Sequence, residues 1–149
     1  MKNITNTGIK NITNLLSFDL KQVNCKKSEV AIIEIDGKKY ERNRIRFDSP
    51  EFDLFDELIF HIKPDSASFV FRSFGNIDEK LESLEELTNK IYDLLKDKTV
   101  GGTGKFKAAD LNQIKKFDFW SGKLWIDHKN QSSVMIDYTD GMLRLCINV

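Results

Sequence analysis

The stretch from Ile77 to Asp97 constrains this chain more than any other. Ile77, Leu81, Leu84, Leu87, Ile91, Leu94 and Leu95 recur three and four residues apart, which lines them along one side of an α-helix. Glu79, Glu82, Glu85, Glu86, Asn89 and Asp93 fall on the other side. Asn76 is placed to cap the start, with Glu79 three residues on as reciprocal partner. Acids crowd the first turns, Lys90, Lys96 and Lys98 come late, and Gly101-Gly102 stops the run. At ~1.5 Å per residue such a helix is about 30 Å long. Its leucine stripe needs an apolar surface to lie on.

The rest of the chain supplies strands. Leu16, Phe18 and Leu20 alternate with polar residues, and Val30 to Ile35 is a denser apolar run. Asp36-Gly37 then signals a hairpin whose return strand runs from Lys38 to about Phe47; two- and three-residue loops both fit. Pro50 opens a short helical turn over Glu51–Asp56. Leu58 to Ile62 and Ala67 to Phe74 read as two more strands, joined at Pro64-Asp65. After the long helix, Ala108 to Lys116 reads as a second, short one. Phe117–Trp120 and Lys123–His128 flank a Ser121-Gly122 turn, and Val134–Tyr138 and Met142–Val149 flank Asp140-Gly141. The expected fold is a single α+β domain over residues 1–149, with residues 1–14 a loosely tied arm. Its antiparallel sheet has about seven strands, hairpins before the helix and a meander after, with the helix packed on it.

Charge and cysteine content narrow the function classes. The formal net charge is +0, so general attraction to nucleic acid or anionic lipid is not expected. No apolar run approaches the ~20 residues of a membrane span, and the N-terminus has no signal-peptide core. Cys25 and Cys146 fit no metal or redox spacing and read as two reduced thiols of a cytoplasmic protein. Gly104-Lys105 lacks the flanking residues of a phosphate loop: position 99 is Thr and position 106 is Phe. His61 and His128 have no neighbours at metal-ligand spacing and no visible nucleophile. No catalytic set, metal site or cofactor is expected.

Two charged clusters remain. Lys38, Tyr40, Arg42, Arg44 and Arg46 all carry even numbers, so a regular strand puts them on one face, with Ile45 and Phe47 turned to the core. Such a cationic ladder grips carboxylates or phosphates, or simply guards an edge strand. Either way it is expected to stand in solvent or to pair with nearby acids, so that Arg44→Glu leaves the fold intact. Asp48, Glu51, Asp53, Asp56 and Glu57 form an acidic turn studded with aromatics. Trp120 adds an interface-type side chain. Together these residues point to a non-enzymatic intracellular module that binds another protein, most concretely an immunity-type protein neutralising a bacterial toxin domain. The alternatives are a nucleic-acid or nucleotide-phosphate binder using Lys38–Arg46, and a small enzyme with scattered active-site residues.

Overall fold

The computed structural model describes residues 25–51, 54–63, 66–97, 104–129 and 131–149. Seven strands form one sheet: β1 (Cys25–Ile35), β2 (Lys38–Glu51), β3 (Phe55–Ile62), β4 (Ala67–Ser73), β5 (Trp120–Asp127), β6 (Ser132–Thr139) and β7 (Met142–Asn148). They lie in the order β1-β2-β3-β4-β7-β6-β5, and every neighbouring pair is antiparallel. Two meanders, β1 to β4 and β5 to β7, are thus zipped together where β7 pairs with β4. The helices α1 (Leu81–Leu95) and α2 (Ala108–Phe117) occupy the connection between the meanders. The architecture is α+β, as the order of elements implies. The expected strand over residues 16–20, the arm over residues 1–14 and most of the glycine loop lie outside the described residues.

Local chemistry explains the elements. Asp36 and Gly37 have φ of 52° and 77°, and Asp140 and Gly141 have 53° and 73°. These are the paired left-handed residues of tight two-residue hairpins, so Ile35 faces Lys38 and Thr139 faces Met142. Side chains alternate strictly along β4 and β6 between buried and part-exposed. The buried set meets the helices in one core, in which Leu84, Leu87, Ile91 and Leu95 of α1 and Ile114 of α2 pack on Phe69, Phe71, Leu145, Ile136 and Trp125. Leu84 and Ile91 are wholly excluded from solvent, so the leucine stripe does cover the sheet.

Three expectations need correction. The long helix is not continuous. Ile77–Glu79 is a single 3-10 turn, capped where Asn76 Oδ1 accepts from the Asp78 N–H at 3.0 Å, and α1 starts afresh after Lys80. The break follows from Lys80, whose φ and ψ of −116° and 1° are non-helical. Its ammonium reaches back to donate to Ser73 Oγ, to the Phe74 carbonyl at 2.8 Å and to the Leu54 carbonyl at 3.4 Å. The helical turn expected over Glu51–Asp56 is replaced at both described ends by strand: β2 runs on to Glu51, which pairs with Phe55 of β3, and residues 52 and 53 lie outside the described residues. Pro50 is tolerated there because the ladder is irregular between Arg46 and Glu51. Finally, Ser121-Gly122 is not a turn between strands but a bulge inside β5, where the register slips between Trp120 and Lys123.

The bulge seats a small polar network under α2. Asp110 accepts from the Lys107 N–H at 2.7 Å, closing the start of the helix, and from Trp120 Nε1 at 3.0 Å. Lys123 Nζ lies 3.2 Å from the same carboxylate, almost out of solvent. Burial pushes the Asp110 carboxyl up, but the hydrogen bonds from Trp120, Lys107 and Lys123 outweigh it and hold it below its usual value.

At the other end of α2, Asp118 takes a left-handed conformation and accepts from Tyr138 Oη at 2.6 Å. That bond, with burial and the Asp118 charge, pushes the phenol up to about 12. A folded-state pKa above the ordinary ~10 means that the bond's contribution is complete below pH ~10 and is lost as pH rises through about 12. Tyr138→Phe is therefore expected to be about 1–2 kcal/mol less stable than wild type at pH 8. In urea titrations the gap should close between pH 10 and 12; a gap that is constant with pH would show that the lost hydroxyl acts through packing alone.

Candidate functional site

The sheet has one face packed under the helices and one that no described element covers. Registers place the residues of this open face in rows running across the strands. One row reads Arg44, Ile59, Val70, Cys146, Met135 and Leu124, from β2 to β5. The adjacent row reads Arg46, Glu57, Arg72, Arg144 and Asp137. A band of mainly apolar side chains therefore lies beside a band of mixed charge. On the other side of the apolar row, Arg42 faces His61. Burial first, then the Lys63 and Arg42 charges, pushes the His61 imidazole below its usual value.

The even-numbered residues of β2 do share this open face. β2 is an interior strand between β1 and β3, however, so the ladder is not an edge guard. Lys38 and Arg42 are exposed, and Tyr40 is half-buried with Lys63 Nζ 5.4 Å from its ring centre. Arg44 and Arg46 turn toward Glu57, whose side chain is only 5% exposed. Arg44 Nε stands 3.5 Å and Arg46 Nε 3.9 Å from Glu57 Oε2, while Arg72 Nη1 stands 3.7 Å from Oε1. Glu29 of β1 comes within 3.9 Å of Arg44 from the other side. Arg72 was not legible as a member, because β4 reaches the cluster only through the register of Glu57 with Arg72.

The three arginines, Asp56, Glu57 and Phe74 line an open cavity of about 360 Å³. Phe74 is 46% exposed at its rim. Asp56 is anchored, accepting from the Phe74 N–H at 2.7 Å and lying 3.9 Å from Lys80 Nζ. Along the same row Arg144 and Asp137 form a closed bidentate pair, at 3.1 Å from Nε and 2.9 Å from Nη2. Among the other acidic candidates, Asp48 is exposed on β2, Glu51 ends that strand, and Asp53 lies outside the described residues. Trp120 is fully buried and bonded to Asp110, so it belongs to the core and not to a surface.

Ser73 and Lys80 have the composition of a serine–lysine nucleophile pair, but the geometry opposes it. The Lys80 nitrogen is shared among Ser73 Oγ and the Phe74 and Leu54 carbonyls and lies 3.9 Å from Asp56 Oδ2, the place of a clamp that ties the start of α1 to the sheet. Cys25 and Cys146 sit on strands four places apart in the sheet, about 19 Å at ~4.8 Å per strand, beyond disulfide reach. Burial pushes the free Cys146 thiol up, away from the reactive thiolate. Among the described residues no three His, Cys, Asp or Glu side chains gather as metal ligands, and no helix is long and apolar enough to cross a membrane.

No protein-family model, curated protein or solved structure matches this chain.

Proposed function

We propose that this chain is a non-enzymatic protein-binding module of the cytoplasm that docks a partner on its open sheet face. Its most concrete form is an immunity-type protein that occupies a toxin domain. The observation that carries this reading is the pairing of the apolar row from Ile59 to Leu124 with the arginine-rich row beside it. Binding surfaces favour this mixture: apolar area supplies the driving force, arginine the directed contacts, and lysine is scarce. A phosphate-binding strip would instead need a continuous cationic track. Here the charged row runs positive, negative, positive, positive, negative from Arg46 to Asp137.

The test is affinity capture from native lysate with immobilised wild type, Leu124→Lys and Met135→Lys. Leu124 is 41% exposed, so charge there leaves the core untouched. The expected result is one stoichiometric protein held by wild type and weakened at least tenfold by each variant. Equal capture by all three would remove the face from the binding surface. Nucleic acid retained in place of a protein would favour the phosphate-binding alternative over Lys38–Arg46.

A further inference from the structure

We infer that the cavity between Arg44, Arg46 and Arg72 is a carboxylate pocket that receives an aspartate or glutamate side chain of an acidic protein segment. The inference rests on the protein-binding reading and names the group that is recognised.

The first argument is hydrogen-bond accounting. Charge-assisted N–H to carboxylate bonds run about 2.7–2.9 Å. The three arginines stand 3.5, 3.9 and 3.7 Å from Glu57, near enough for attraction and too far to satisfy their donors. Arg144 and Asp137, two strands along, show what a closed pair looks like on the same surface. Three guanidiniums carry about fifteen N–H donors, against roughly four acceptor positions on one carboxylate. Arg72 Nε is buried and has no acceptor. Glu57 thus holds the arginines apart and aimed without consuming them, which is preorganisation for an incoming oxyanion.

The second argument is charge. Around the cavity itself Arg44, Arg46 and Arg72 face Asp56 and Glu57, three cations against two anions. The balance of one positive charge is what one carboxylate neutralises, whereas a phosphate monoester would overshoot it. The third argument is size and lining. A cavity of about 360 Å³ is at the small end for a free ligand and suits a side chain. The half-exposed Phe74 ring at the rim offers the guest's methylenes an apolar wall.

The experiment uses the full chain and a short fluorescein-labelled peptide carrying two glutamates beside a leucine, read by fluorescence polarisation at low salt. Its glutamine twin and a single-stranded oligouridylate serve as competing probes. The acidic peptide should bind, the twin at least tenfold more weakly, and Arg46→Gln and Arg72→Gln should each weaken the acidic peptide by about tenfold or more. Arg46 is half-exposed, so Arg46→Gln should keep the wild-type melting temperature and carries the test if Arg72→Gln does not fold. Equal binding of the twin, or wild-type affinity in Arg46→Gln, would overturn the pocket. Oligouridylate that displaces the peptide and itself weakens with Arg46→Gln would overturn it in favour of phosphate. A partner lost in Met135→Lys, with peptide binding indifferent to Arg46→Gln, would retire the pocket and leave the docking face standing.

Discussion

Gly122→Ala is expected to cost about 3 kcal/mol or more and to lower the melting temperature by roughly 6–12 °C. Gly122 has φ of 87°, in the left-handed region that a side chain strains to enter. Space is the larger problem. A Cβ there would run into the Ile136 carbonyl oxygen and stand 2.8 Å from Asp137 Cβ and 3.0 Å from its Cα. Those atoms belong to the middle of β6, which is paired on both sides and has little freedom to retreat. The bulge around Gly122 also sets parity. Trp120 and Lys123 are three apart, which in a regular strand sends them to opposite faces. With the bulge between them, both are buried, and both reach Asp110. Flattening the bulge would expel one of them. Urea or thermal denaturation of Gly122→Ala checks this, and a melting point within about 2 °C of wild type would mean that β6 yields easily.

The same residue shows where reading the chain alone succeeds and where it stops. Glycine after serine between apolar runs does mark a break in regular backbone. Local pattern cannot tell a bulge from a turn, because the difference is whether β5 keeps pairing with β6 on both sides of it. Asp36-Gly37 and Asp140-Gly141 were legible because the hairpin is a local object: two positive-φ residues close it wherever the strands go. The leucine stripe was legible because helical spacing is local too. Its break at Lys80 was not, since Lys80 is held by three acceptors distant in the chain pattern: Ser73 at the end of β4, Phe74 just after it, and Leu54 in the turn before β3. The shared face of Arg44 and Arg46 followed from alternation, and so did a pairing with nearby acids, which Glu57 supplies, but the other arginines of the row did not. Arg72 and Arg144 arrive through the β3–β4 and β4–β7 registers, which no spacing in the chain announces. Trp120 has the composition of an interface residue and the position of a core one, and only the fold separates the two.

Arg44→Glu is expected to lower stability by about 2–4 kcal/mol, contrary to what a freely solvated arginine stripe would show. In the fold Arg44 lies between Glu29 at 3.9 Å and Glu57 at 3.5 Å. The substitution removes one of three cations around a nearly buried carboxylate and sets a third carboxylate beside the two already there. Breaking a buried ion pair costs about 3–5 kcal/mol; the Arg44 side chain is 29% exposed, so water relieves part of that. Salt should restore little, because Glu57 is shielded from mobile ions. Adding Glu57→Gln to Arg44→Glu should recover part of the loss by removing the buried repulsion, a coupling that a double-mutant cycle reads directly. Arg46→Gln provides the contrast. Arg46 is 50% exposed and 3.9 Å from Glu57, so its removal should change stability by no more than about 0.5 kcal/mol. Arg44→Glu melting within about 2 °C of wild type would show that the Glu57 contact adds nothing to the fold. The expected pattern divides one face into two roles: Arg44 and Glu57 set the position of the guanidiniums, and Arg46 and Arg72 carry the spare donors that the proposed carboxylate pocket requires.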